Sequence, residues 1–286
     1  MGCEARIFRP LSEVPQRERL ARNHRKLVVV DGEVGLTGGF GIHSSWLGDG
    51  VTHAETWRET NALVRGPAVR EMQLAFAEDW QNSGGGILPP HAFPELDERA
   101  KEGGMRAAFS ASSPGPGDTE AERLTQLAIA AAKKRVWISN AYFVPSEPIL
   151  QLLEQKRKEG VDVRVLAAGP IHDWKIILEA QRAAYPRLLE AGVRLWEFQP
   201  SMMHAKSMLV DDRLSIIGST NMDPLSLNRL EEGSIVVDDP KLAKALERTF
   251  LEDLEHAEEI SAEFVERPTP WRQLSRRIAR LLGRWP

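Results

Sequence analysis

Apolar and polar positions along this chain change period several times, and each change marks an element. Arg135-Val-Trp-Ile-Ser139 is a short apolar run and Val161-Asp-Val-Arg-Val-Leu166 alternates, so both read as strands, as does the segment from Val193 to Phe198. Between them the spacing lengthens to that of a helix. Thr119 and Glu122 stand at capping-box distance ahead of a helix running to about Lys133, Ser146-Glu-Pro148 opens a second, and a third covers about Asp173 to Ala191. Strands alternating with helices predict βαβ units and therefore a mixed, largely parallel sheet covered on both faces. Gly84-Gly-Gly86, Pro89-Pro90 and the stretch from Ser112 to Gly117 have the composition of loops, where the chain crosses between two bodies.

The pattern also repeats. Glu59-Thr-Asn-Ala-Leu-Val-Arg-Gly-Pro67 aligns without a gap on Glu232-Gly-Ser-Ile-Val-Val-Asp-Asp-Pro240, and each is followed by an amphipathic helix that ends in similar residues, Phe76 to Trp80 and Phe250 to Leu254. Upstream, His24-Arg-Lys-Leu-Val-Val-Val-Asp31 lies on His204-Ala-Lys-Ser-Met-Leu-Val-Asp211, and Gly38-Gly39 lies on Gly218-Ser219. Farther back, Gly2 to Pro10 resembles Gly192 to Pro200. The predicted organisation is an α/β protein of two pseudo-symmetric halves, each a mixed β-sheet flanked by helices, at residues 1–96 and 97–266, followed by a tail at 267–286. The second copy is longer at its front by roughly 80 residues of strand and helix, so the first half is expected to be incomplete, a truncation that leaves exposed edges and apolar surface beside His24.

Composition narrows the classes. A chain of 286 residues with 42% hydrophobic content buries a real core, which excludes a disordered protein. No apolar run approaches the roughly 18 residues of a membrane span, and no secretory signal is visible. The single cysteine, Cys3, excludes an internal disulfide and a cysteine-cluster zinc site. A net charge of −4 provides no global attraction for nucleic acid, although the tail from Arg267 to Pro286 carries six arginines and no acid. In that tail Trp271, Leu274, Ile278, Leu281 and Leu282 fall at helical spacing, giving a basic amphipathic helix suited to an anionic membrane surface; a helix docked on the protein body is the alternative.

The candidate chemistry lies where the repeats agree. In the pattern His204-x-Lys206-x4-Asp211-x6-Gly218-Ser219-x-Asn221, His204 and Lys206 are two apart on a strand-like segment, so their side chains share a face. The pair offers a nucleophile or acid beside a fixed cation. Gly218 and Ser219 let backbone approach an anion, Asn221 can donate to a phosphate oxygen, and a carboxylate such as Glu232 can hold the other nitrogen of the histidine. Duplication by itself accounts for Asp31 and Asp211 as turn residues, but it does not require a histidine and a lysine to persist at both places. His43, His53, His91, His172 and His256 show no metal-ligand spacing and read as surface or loop histidines, while Trp137, Trp174 and Trp196 read as core or groove-wall residues.

These motifs resemble the phospholipase D superfamily, with its twice-used His-Lys-Asp signature, and Arg22 to Gly32, Thr37-Gly-Gly39, Trp57-Arg-Glu-Thr60, Asn140-Ala-Tyr-Phe-Val-Pro145 and Gly218-Ser-Thr-Asn-Met-Asp223 are similar to bacterial cardiolipin synthases. The resemblance implies one active site at the interface of the halves, built from His24, Lys26, Asp31, His204, Lys206 and Asp211. It implies that His24 attacks phosphorus to form a phosphohistidine, and that His204 alternates as acid and base. Lys26, Lys206, Asn221, Ser219 and Gly39 would surround the phosphate, and Glu59 and Glu232 would orient the histidines. It implies no metal and no cofactor. The implied substrate is an anionic phospholipid, phosphatidylglycerol, two molecules of which give cardiolipin and glycerol, at the cytoplasmic face of the cell membrane with the protein bound peripherally and no nucleic acid involved. A phospholipase D or nuclease-type hydrolase remains open, as does a catalytically dead, membrane-associated protein. Gly41 departs from the pattern by standing where the first copy should have asparagine, with Ser44, Ser45 or backbone amides as possible substitutes.

Overall fold

The computed structural model describes residues 2–16, 19–93, 104–115, 119–261 and 263, so the predicted tail helix at 267–286 lies outside the described residues. The first half begins with an antiparallel three-stranded sheet, β1 (Leu27–Val30), β2 (Val34–Gly38) and β3 (Asn61–Arg65), backed by helix α1 (Ala68–Asn82). The rest of the described chain builds β4 (Arg106–Ser112), α2 (Glu120–Ala131), β5 (Arg135–Asn140), α3 (Glu147–Lys158), β6 (Asp162–Ala168) and α4 (Lys175–Glu190). It continues through β7 (Arg194–Phe198), β8 (Lys206–Val210), β9 (Leu214–Gly218), α5 (Pro224–Asn228), β10 (Glu232–Asp238), α6 (Pro240–Leu254) and β11 (Ala257–Glu259). These strands form one eight-stranded sheet in the order β11-β7-β6-β5-β8-β9-β10-β4.

The sheet is mixed, but less parallel than expected: only β5, β6 and β7 run parallel, and every other pairing is antiparallel. The reason is connection length. Helices α3 and α4 provide the crossovers that parallel neighbours need, whereas β8 turns into β9 through Asp211-Asp212-Arg213 alone. Thr119 caps α2 by accepting from the Glu122 amide, as its sequence position predicts.

Helices α2, α3 and α4 cover one face, where Ile129, Ile149, Leu153, Tyr185 and Leu188 pack on Val136, Ile138, Val163 and Val165. On the other face Leu246 and Phe250 of α6 pack on Trp137, Trp196 and Leu209. The small sheet and α1 join that second face, with Met72, Leu27 and Val29 sharing a cluster with Ile217, Ile235 and Val237. Trp137 and Trp196 are therefore core residues, while Trp174 is 61% exposed.

The internal repeat has a physical form, β1-β2-β3-α1 against β8-β9-β10-α6, with two differences. Gly2 to Pro10 forms no strand although its sequence resembles that around β7, because β6 and β11, which pair with β7, have no counterpart beside it among the described residues. Val28 and Val30 are also exposed, at 43% and 51%, whereas their repeat partners Met208 and Val210 are buried in the cluster beneath α2 and α3.

Backbone stitches the halves together. Isolated parallel bridges join Asn23 to Glu231 and Arg58 to Met203. Beside the first, the Arg25 side chain is fully buried, its guanidinium 3.0 Å from Asp79 and 3.5 Å from Glu231, and it donates to the carbonyls of Ala75, Ser112 and Glu232. A planar fork satisfies all these acceptors at once, which a point-charge ammonium does not. Replacing Arg25 by Ala leaves Glu231 with Arg9 alone, Asp79 with Asn23 and three carbonyls without their donor, and the expected loss is about 3 kcal/mol of unfolding free energy in urea titration. Arg25→Lys should recover only part of it; a loss under about 1 kcal/mol for the alanine variant would contradict the clamp.

Candidate active site

Each histidine sits just ahead of a hairpin strand, and in each case the other half holds it there. The His24 amide donates to the Glu231 carbonyl at 3.0 Å, and the His204 amide donates to the Arg58 carbonyl at 2.7 Å. Those backbone bonds place the next residue of each partner strand against an imidazole. His24 Nδ1 lies 2.9 Å from Glu232 Oε1, and His204 Nδ1 lies 2.7 Å from Glu59 Oε2. The pairing is crossed, so the expectation that Glu232 serves His204 is corrected: Glu232 serves His24, and Glu59 serves His204. A carboxylate on Nδ1 selects the tautomer that leaves Nε2 as the free nitrogen.

Glu232 is completely buried, and the hydroxyls of Ser219 and Ser226 both donate to it. Ser219, expected against a phosphate, thus spends its hydroxyl on the carboxylate that holds His24. Gly39 has a similar explanation: a Cβ there would sit 2.3 Å from Glu59 Oε2, so the glycine makes room for the carboxylate. Asn221 is 3% exposed; its amide N–H donates to Ser226 Oγ at 3.0 Å, but its side-chain oxygen has no partner among the described residues. Its carboxamide therefore has unused hydrogen-bonding capacity for a ligand.

The two lysines lie with the histidines. Lys206 Nζ is 2.8 Å from His204 Nδ1 and 3.1 Å from Nε2, and Lys26 Nζ donates to the His24 carbonyl at 2.9 Å. Burial brings each lysine down to about 8, with Glu59 and Glu232 opposing the fall. Burial likewise raises Glu59 to about 6, against the pull of Lys206. His204 is held well below its ordinary value by burial first, then by Lys206, Lys26 and His24, which brings both motifs into one electrostatic site. Among the described residues, no three His, Cys, Asp or Glu side chains group to hold a metal ion. The cationic groups at this site are lysines.

Sequence reasoning missed two indoles. Trp57 lies 4.9 Å from the His204 ring, and Trp46 meets that ring edge-on at 5.5 Å. Trp46 also explains Gly41, since a Cβ at that position would stand 2.8 Å from the indole. Where asparagine was expected, the space is filled by an aromatic ring from five residues downstream. Ser44 and Ser45, the expected substitutes, open the one-turn 3-10 helix Ser44–Trp46 that presents this ring. Gly41 was the available signal, because an unexplained glycine marks a close neighbour.

Asp31 and Asp211 are corrected as well. Both adopt φ of 53°, the left-handed conformation of a hairpin turn. Asp211 lies beyond the far end of β8, roughly 16 Å along the strand from Lys206. Its Oδ1 accepts from the amides of Lys133, Lys134 and Arg135, capping the entrance to β5. His172 lies on the loop between β6 and α4, one of the two places its sequence context allows, and its side chain is fully buried there.

A family model described as "Cardiolipin synthase, PLD-like domain" matches residues 126–254. Cardiolipin synthase of Geobacillus kaustophilus (strain HTA426) is 38% identical over 268 residues, spanning 92% of this chain and 52% of that one. Cardiolipin synthase A of Pseudomonas putida (strain F1) is 36% identical over 262 residues, spanning 92% and 53%. The family model and these relatives make the chain similar to the phospholipase D superfamily. Its fold agrees with the crystal structure of phosphatidylserine synthase from Haemophilus influenzae, with a TM-score of 0.65 over 93% of this chain and 69% of that one at 15% identity. The chain spans about half the length of the curated superfamily relatives it matches.

Within this phospholipase D-like site the signature aspartate has a structural task, which is testable. Asp211→Ala should lower unfolding free energy by about 1–3 kcal/mol through the orphaned amides, with no change in the NMR titration of His204. A shifted His204 titration at unchanged stability would return the aspartate to the histidine site.

Proposed function

We propose that this chain carries the centre of a phosphatidyl transferase of the cardiolipin synthase type, joining two phosphatidylglycerols to cardiolipin and releasing glycerol. The observation that supports it most is the crossed pairing, which engages Nδ1 of each histidine with a carboxylate of the other half and sets both histidines beside buried lysines. Relatives named cardiolipin synthase supply the substrate class.

His24 attacks phosphorus through Nε2, because Nδ1 is engaged by Glu232. The bond from phosphorus to the glycerol oxygen breaks, and His204, which takes up a proton at Nε2 when the anionic phosphate binds, donates that proton to the oxygen. In the second step the hydroxyl of another phosphatidylglycerol gives its proton to His204 and attacks phosphorus. The phosphorus–nitrogen bond then breaks, and its electron pair returns to His24. Lys26, Lys206 and the Asn221 carboxamide stabilise charge on the nonbridging oxygens. The working unit is the pair of halves at 1–96 and 97–266. No helix among the described residues is long and apolar enough to cross a membrane, and the proposal places the protein peripherally at the cytoplasmic face, where anionic lipid is presented.

A reversed assignment, with His204 attacking and His24 as acid, draws on one observation: burial keeps His204 neutral, the form a nucleophile needs. One experiment addresses both. Purified chain is mixed with phosphatidylglycerol vesicles, lipids are read by mass spectrometry against a His204→Ala control, and the quenched protein is mapped for phosphohistidine. Cardiolipin and glycerol with label on His24 are expected. Label on His204 reverses the roles, phosphatidic acid alone makes the chain a hydrolase, and no product from folded, vesicle-bound protein supports the inert reading.

The electrostatics predict a narrow pH optimum. Glu59 loses its charge below about 6, releasing His204, and both lysines lose theirs above about 8, so kcat/KM should be bell-shaped with limbs near those values. An ordinary lysine would stay charged to about 10.4. Replacing both lysines by arginine should move the alkaline limb upward, whereas Lys26→Arg alone leaves Lys206 to set it near 8; a profile flat to pH 9.5 in the native chain would contradict the depressed lysines.

A further inference from the structure

Beside the histidine pair lies a polar cluster that the steps above leave unused. It comes from the loops after β5 and β6, at the ends of parallel strands where ligands of α/β sheets commonly bind. Tyr142 Oη donates to Asp173 Oδ2 at 2.6 Å, and His172 Nδ1 lies 3.2 Å from Asp173 Oδ1. The His172 ring stacks on Tyr142 at 5.4 Å between centroids. The Trp174 amide reaches the same Nδ1 at 3.0 Å, so the tautomer sets whether Nδ1 accepts there or donates to Asp173, and Nε2 is buried without a partner among the described residues.

The cluster is fixed to the active site by backbone. Asn140 stands opposite Lys206 in the β5–β8 register, and its Oδ1 accepts from the amides of both Tyr142 and Met222. The Val144 amide donates to the Met222 carbonyl at 2.8 Å. The Tyr142 loop is thus bound to the loop that carries Asn221. Asp173 is within electrostatic reach of both His204 and Lys206. Its side chain keeps 25% exposure, so it is open to a ligand. Hydrogen bonds from His172 and Tyr142 outweigh its burial and hold its carboxyl below the usual range, so it is an anion at neutral pH.

We propose that Asp173, held by Tyr142 and His172, is the hydroxyl-recognition point for the alcohol that enters or leaves the phosphate, and selects a glycerol-type vicinal diol over a simple alcohol. An ionised carboxylate only accepts hydrogen bonds, so it repels a phosphate and takes a donor. Two nearby lysines disfavour a cationic headgroup, which leaves a hydroxyl. With one hydroxyl of the diol at His204 and its neighbour donating to Asp173, the reacting oxygen is held in line with phosphorus while its proton passes to His204. Asp173 moves no proton; it is a positioning group on the acceptor side. This inference rests on the transferase reading above.

The test uses phosphatidyl-p-nitrophenol in vesicles as donor, with glycerol, ethanol and ethanolamine as competing acceptors. The ratio of products is internal to each sample, so a general loss of turnover cancels. The native chain should favour glycerol over ethanol, and both Asp173→Asn and Tyr142→Phe should cut that preference, the first by about 10- to 100-fold, as expected for loss of a charge-assisted hydrogen bond. Asp173→Glu should restore part of it. An unchanged glycerol-to-ethanol ratio in Asp173→Asn overturns the proposal, as does a native preference for ethanolamine. If the native chain releases no p-nitrophenol, the transferase reading fails, and calorimetry decides the inference separately. Native protein must then bind glycerophosphoglycerol more tightly than glycerophosphoethanol, and Asp173→Asn must lose the difference; equal binding by the native chain overturns it.

Discussion

The crossed carboxylate–histidine pairs are the constraint on which the rest of the structure depends. Glu232 has no exposed surface and Glu59 is nearly as buried, and each finds its imidazole only in the opposite half. A buried carboxylate needs its charge compensated, and the imidazole from the opposite half supplies this to Glu59 and adds to the Ser219 and Ser226 hydroxyls on Glu232. The same contacts therefore dock the halves and fix the tautomers. Neighbouring features serve this arrangement: the backbone bridges at Asn23 and Arg58, the Arg25 clamp, the hydroxyls of Ser219 and Ser226 on Glu232, and the missing side chain at Gly39.

Burial sets the chemistry by acting on both signs of charge. Two lysines fall to about 8 while Glu59 rises to about 6, so the ion pairs of the site lie close to the pH at which they neutralise. Under the proposed function a phosphodiester anion between the lysines would supply the charge that burial withholds, stabilising the ammonium forms and opposing the cations that suppress protonation of His204. The Trp46 and Trp57 rings reinforce this by keeping water from the His204 face.

The sequence made legible what has a local period or a repeated motif. Strands β5 to β7, the capped start of α2, and His204 with Lys206 all follow from spacing within a few residues. The crossed pairing does not, because residues separated by 145 and 208 positions meet through backbone bridges that leave no local pattern. What placed Asp31 and Asp211 in the site was the family resemblance; repetition alone already accounts for both as turn residues. Both copies keep an aspartate because both hairpins need a residue that tolerates φ of 53°, and a shared turn gives the same sequence signal as shared chemistry. His172 is legible as a loop residue, but its burial comes from its neighbours and leaves no mark in one dimension.

The halves repeat the hairpin, the carboxylate and the helix, yet only the second brings βαβ units to the described structure, and this asymmetry has a functional side. A perfectly two-fold site would treat donor and acceptor alike, as suits a reaction in which both substrates carry the same headgroup. The loops after β5 and β6 break that equivalence, for they place Tyr142, His172 and Asp173 beside His204 and Lys206, and the first half offers no described counterpart beside His24 and Lys26. Under the proposed function, one side of the phosphate would meet a carboxylate and a phenol and the other the small three-stranded sheet, so that duplication provides the paired histidines and the unduplicated loops the means to tell two alcohols apart.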